Sequence, residues 1–168
     1  MQNALVFFHI VAVGVYLGAT VLLGVAVETI GRRAVDASGR RQRFAELFRS
    51  YNPLAIGALG VVVMTGAWTL TPYKAALGAG YFAQVGSVLA GKLALAFAVI
   101  LFATWVCFGI CHRMVRADQG ALPVTDAELR NVLRRLRMAI WLTVALTLVT
   151  VWFALGMHAA VSAASPAR

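Results

Sequence analysis

Lys92 is the residue that most needs explaining. It lies near the middle of an apolar run from Tyr81 to Cys111, YFAQVGSVLAGKLALAFAVILFATWVCFGIC, and is its only charge. An ammonium group inside hydrocarbon costs at least ~2.5–3.5 kcal/mol on insertion scales, so it normally faces a bundle interior and marks a functional site. Two imidazoles belong to the same half of the chain's spans. His9 is about four residues inside the start of the first apolar run, ~6 Å deep at ~1.5 Å per residue, and His158 sits at a similar level near the end of the last. Lys92 is ~15 Å down by the same rise, and its long stem can snorkel outward. Met157, with Met64 or Trp68 from the second run, can join them. Imidazole and thioether are copper ligands, and a nearby ammonium would tune such a site. Each residue also has a plain structural role open to it. His9 can be a satisfied interfacial polar group, His158 can be wetted at a helix end, the methionines can be packing, and Lys92 can snorkel.

A second grouping, Cys107-x-x-x-Cys111-His112, sets two thiols one turn apart beside an imidazole. Soft thiolates select copper(I) or zinc, but only three ligands are in view, and small buried cysteines pack well in membrane helices. Packing is the expectation. The spacing is not that of a C-x-x-C-H haem attachment site. No Gly-rich phosphate loop, nucleophile elbow or intramembrane carboxylate pair is present, so hydrolytic chemistry has little to stand on.

The elements that would hold these residues follow from composition. Of 168 residues 61% are hydrophobic and 12% charged, which is too apolar for a soluble domain of this size. Four runs, at about 5–30, 53–70, 81–111 and 138–161, supply the ~20 residues that a ~30 Å hydrocarbon core demands. They lack two-residue alternation, and four segments cannot close a barrel. The expectation is an all-α polytopic membrane protein, one four-helix transmembrane domain spanning 1–168. The first run opens without a basic region and is too long for a signal-peptide core, so it reads as a retained helix.

The net charge of +9 is concentrated in two loops, 31–52 and 112–137. Arg32, Arg33, Arg40, Arg41, Arg43 and Arg49 occupy the first, and Arg113, Arg116, Arg130, Arg134, Arg135 and Arg137 the second. This positive-inside pattern predicts both loops in the cytoplasm and both termini outside, with anionic lipid rather than nucleic acid as the partner of the charge. In the first loop Phe44, Leu47, Phe48 and Tyr51 recur at helical spacing. They predict a short amphipathic helix lying on the inner leaflet or leading into the second span, with Pro53 in that span's first turn. The second helix should end at Trp68, before an outer loop TPYKAALGAG. Trp68, Tyr73 and Tyr81 would form an outer aromatic belt, with Tyr51 and Trp141 on the inner side. Glu28, one turn before Arg32, predicts an interfacial ion pair. Thr125-x-x-Glu128 matches a capping box and should open a helix that continues into the fourth span. Gly14-x-x-x-Gly18 is a close-approach spacing.

With these residues in view the chain resembles the copper resistance protein D (CopD) domain family. His9, Tyr16 and Gly18 match that family's first-helix spacing, in which tryptophan usually stands where Tyr16 does. Gly91-Lys92-Leu93 resembles its central lysine helix, and LRRLRMAIWLTVALTLV its arginine-led last helix. A weaker resemblance is to the HemJ-type protoporphyrinogen oxidases, which have four helices, a histidine in the first and a lysine in the third, associated with haem b.

The first resemblance implies an inner-membrane protein that handles copper at an outward-facing site, with His9 as main ligand and His158 and Met157 as partners. It also implies a bacterial inner membrane and periplasmic termini. The second implies a haem b redox protein, with His9 on the iron and His158 or Lys92 opposite. A third expectation is a non-catalytic accessory subunit of a larger membrane complex, or a homodimer, using Gly14 and Gly18 as contacts. Whether the chain is an enzyme stays open at this stage.

Overall fold

The computed structural model describes the backbone of residues 2–32, 37–77, 81–120 and 125–164. Side chains are described for 3–31, 39–69, 71, 86–87, 89–120, 125 and 127–154. Helix α1 is Gln2–Arg32 and α2 is Ala37–Leu77. Helix α3, Tyr81–Thr104, passes through a π-helical segment, Trp105–Cys111, into α4, His112–Asp118; α5 is Asp126–Ala164. No strand occurs among the described residues. Four of these stretches are long and apolar enough to cross a membrane: Asn3–Gly31, Gly39–Thr69, Leu89–Asp118 and Ala127–Ala154. The all-α, four-helix transmembrane architecture is therefore the fold.

The second span differs from its expected form. The amphipathic stretch and the span are one helix, so Pro53 lies inside α2 rather than in its first turn, and the helix continues past Trp68 to Leu77. An interior proline costs a helix ~3 kcal/mol. The stripe Phe44, Phe48, Tyr51 and Ala55 is buried on one face, while Pro53 is exposed on the other. Burial stabilises by ~1.5–3 kcal/mol for each large side chain, which outweighs the proline. Phe44 and Phe48 stack with ring centroids 5.9 Å apart. Tyr51 accordingly leaves the inner aromatic belt for the core, where its hydroxyl meets Thr20 Oγ1 at 3.3 Å.

Helix α1 packs against α2 and α5, and α3 against α5, while α2 and α3 touch sparingly. On α1 the buried stripe is Ala12, Tyr16, Thr20, Leu23 and Val27. Gly24 lets α5 come close: a Cβ there would meet Ile140 Cγ2 at 3.1 Å. By contrast Gly14 and Gly18 face open space. The core gathers Leu23, Phe48, Cys111, Met114, Leu136 and Ile140 toward the arginine end of the bundle. Two ion pairs tie that end together, Arg49–Asp118 and Arg137–Glu28, each at 3.1 Å. Glu28 thus bonds across to α5; the Arg32 side chain expected to pair with it lies outside the described residues. The capping box forms as its sequence predicts. Glu128 N donates to Thr125 Oγ1 at 3.3 Å, and Thr125 N donates to Glu128 Oε2 at 3.0 Å.

In the π-helical segment the His112 amide reaches back to Cys107 O. The Asn52 side-chain amide donates to the same carbonyl at 3.4 Å. A π turn releases a backbone group from the α ladder, and here a side chain from α2 takes part of its bonding.

Candidate functional site

Away from the arginine end the four long helices separate around a chamber of about 500 Å³, a volume typical of cofactor sites. His9, Val13 and Tyr16 from α1 and Val62 and Gly66 from α2 form one side. Lys92, Ala96 and Phe97 from α3 and Thr147, Thr150 and Ala154 from α5 form the other. Its lining is apolar apart from a few groups, and no carboxylate is among the described residues that line it. The seven-residue step from His9 to Tyr16 makes it ~10 Å deep along the bundle.

His9 is half-buried, and its Nδ1 lies 2.9 Å from Thr65 Oγ1. The Thr65 hydroxyl already donates to Val61 O at 2.6 Å. Toward His9 the oxygen must therefore accept, so Nδ1 carries the hydrogen and Nε2 keeps its lone pair. Gly66 makes room for the ring: a Cβ there would sit 3.3 Å from His9 Cε1. A backbone of small and β-branched residues on α2 thus holds the imidazole in one tautomer and one orientation. This is the outer-shell arrangement that a ligating or proton-accepting histidine needs.

Lys92 shares the chamber and lies within electrostatic range of the His9 ring. Among the described residues it makes no hydrogen bond or ion pair. Thr147 and Thr150 each donate back into their own helix, to Thr143 O and Leu146 O at 2.8 Å. Their remaining capacity is to accept. The Tyr16 hydroxyl is buried in the core and makes no hydrogen bond among the described residues. The chamber therefore offers accepting atoms from His9, Thr147 and Thr150, and a donor from Lys92.

Sequence spacing placed His9 and Lys92 in one half of the bundle, and the structure brings them to one cavity. His158 and Met157 belong to α5, within about one turn beyond the chamber residue Ala154, but their side chains lie outside the described residues. Met64 and Trp68 do not join the chamber; both are more than 60% exposed on the outer surface of α2. Cys107 and Cys111 are free and buried in the core, whereas His112 is exposed. Among the described residues no three His, Cys, Asp or Glu side chains are grouped to hold a metal ion. Thr65, Gly66, Thr147 and Thr150 escaped the sequence reading, since threonine and glycine are ordinary in membrane helices and carry no spacing signal of their own.

A second, smaller cavity of about 320 Å³ adjoins the first, between α2 and the α3–π-helix run. Leu59, Val63 and Ile100 border both. It continues toward the arginine end past Gly60, Ala103, Cys107 and Phe108. Met64 and Phe108, on its rim, are each 62% exposed.

No protein-family model, curated protein or solved structure matches the chain.

Proposed function

We propose that this protein is a membrane redox protein that binds an apolar organic ligand or cofactor in the chamber, contacting His9 and Lys92. One observation carries the reading. A histidine with its tautomer fixed and an ammonium with no bond to the described residues share a cofactor-sized apolar space. A buried cation without an acid costs several kcal/mol, and a ligand with an acidic or accepting group would offset that cost.

The two occupants implied by the resemblances fare differently. Copper would take His9 Nε2 and would need His158 and Met157 from the last turns of α5 to complete its set. The Lys92 ammonium would oppose a second cation, and an ion has little use for so large an apolar chamber. Haem b would suit the described residues better: His9 would hold the iron, the apolar walls would cover a macrocycle, and Lys92 would meet a carboxylate or serve as a second ligand. Bound there, haem would supply one-electron transfer. The arginine distribution supports a bacterial inner membrane, with the chamber in the outer half and both termini periplasmic.

The test is an absorption spectrum of the purified protein, oxidised and reduced, with metal analysis on the same sample. A Soret band lost on His9→Ala supports haem; stoichiometric copper lost on His9→Ala supports copper. A bound organic ligand without metal keeps the chamber reading alone. A chamber that holds nothing, with His9→Ala and Lys92→Met both silent, would favour the accessory-subunit role.

A further inference from the structure

The adjoining cavity specifies the ligand more narrowly. Leu59, Val63 and Ile100, which line the chamber, also line an apolar groove between α2 and α3, the pair of helices in sparing contact, and a chain passing from one space to the other would run between these three side chains. The groove's rim residues Met64 and Phe108 are on the surface that four apolar spans present to lipid. A ligand using both spaces has a polar head about half-way through the membrane and an apolar chain leading from it to the bilayer. That is the form of a lipid-soluble molecule entering sideways.

The head is constrained by the hydrogen-bond inventory. Lys92 can only donate. His9 Nε2, with Nδ1 committed to Thr65, can only accept while the ring is neutral. A suitable head has oxygen atoms at two ends of a flat apolar body, able to accept from Lys92 and to donate to His9. A phospholipid head satisfies neither, because its charge and hydration hold it at the membrane surface. A para-quinol satisfies both, and its oxidised quinone satisfies the first. The carbonyl form accepts from the ammonium, and the phenolic form donates to the imidazole.

We propose that the chamber and groove together bind a prenylated quinone or quinol, its ring between Lys92 and His9 and its isoprenoid chain along Gly60, Cys107 and Phe108. This rests on reading the chamber as the ligand site, and it names the class of molecule. The proposal concerns binding, with Lys92 as the donor to a ring oxygen and the groove as the determinant of preference for a tail.

The experiment uses the full chain purified in detergent. Tryptophan-fluorescence quenching is titrated with a benzoquinone carrying two isoprene units and with tetramethylbenzoquinone, which has no tail. Lys92→Met should weaken both by about tenfold or more, the loss expected for a hydrogen bond from a charged group, and Lys92→Gln should act in the same direction. Gly60→Leu fills the groove without a clash, since a Cβ at Gly60 meets nothing within 4 Å. It should weaken the tailed quinone by roughly tenfold through lost tail burial and leave the tailless one within about twofold, the site being separate from the ring contacts. Gly60→Ala controls for folding. Equal effects of Gly60→Leu on both probes, or none on either, would overturn the assignment. So would a phospholipid in the groove that quinone does not displace. Haem filling the chamber would overturn the quinone while leaving the chamber reading intact. Quinone binding unaffected by both Lys92→Met and His9→Ala would remove both.

Discussion

Removing the Thr65 hydroxyl while keeping its shape tests what fixes the His9 ring. Thr65→Val leaves packing nearly unchanged but takes away the acceptor at 2.9 Å, so His9 Nδ1 loses its partner. Outer-shell partners of a ligating histidine are worth ~10–100-fold in affinity. The expected result is a loss of that order for whatever contacts His9, measured by ligand titration, with little change in circular dichroism. Lys92 makes the opposite demand on stability. Its ammonium is half-buried in the apolar chamber with no bond to the described residues, so Lys92→Met should raise the melting temperature of the ligand-free protein, by ~1–3 kcal/mol equivalent, while weakening binding by about tenfold or more. A lower melting temperature would mean that the lysine is structural. Depth along their helices put these two residues in the same half of the bundle, but not in one cavity. The tautomer could not be anticipated, because it depends on where Thr65 sends its hydrogen.

At the scale of the element, glycines separate the faces of α1. A Cβ at Gly24 would press on Ile140 at 3.1 Å, whereas Gly14 and Gly18 meet nothing. Gly24→Val should destabilise by ~1–3 kcal/mol through overpacking against α5. Gly14→Leu should stay within about 0.5 kcal/mol in the isolated chain. Thermal melts in detergent check both. If Gly14→Leu dissociates a dimer on native mass analysis, the outward face of α1 is an interface between copies. The start of α5 is local chemistry: Thr125→Ala removes the capping box and should cost ~1 kcal/mol, read as fraying by amide exchange at residues 126–129. That cap was legible from four residues. The passage of α2 through Pro53 was not, because the proline signal is local and the compensating stripe Phe44, Phe48, Tyr51, Ala55 gains its energy only against other helices.

For the whole molecule, the closely packed core and the open chamber lie at opposite ends of one bundle. The arginine end is held by Arg49–Asp118 and Arg137–Glu28 as well as by buried aromatics and thiols. Exposed ion pairs contribute ~0–1 kcal/mol each, so the packing of Phe44, Phe48 and Leu136 does most of the holding. Orientation is the remaining global property. A cysteine introduced at exposed Ser50 or Asn131 should react with a membrane-impermeant thiol reagent only from the cytoplasmic side. Labelling from the outside would reverse the topology and place the chamber in the inner half.

By itself the sequence determined the all-helical, four-span architecture, the two arginine-rich stretches and the α5 cap. These follow from run length, composition and spacing, which are local and need no partner helix. It also singled out His9 and Lys92, because a polar group in hydrocarbon is costly wherever its neighbours lie. Only the tertiary structure decided that the two share a chamber, and that Tyr51 and the cysteines are core. It alone revealed the groove between α2 and α3 beside that chamber. Those depend on how helices rotate about their own axes and how closely they approach, which is set by side chains from segments far apart in the chain.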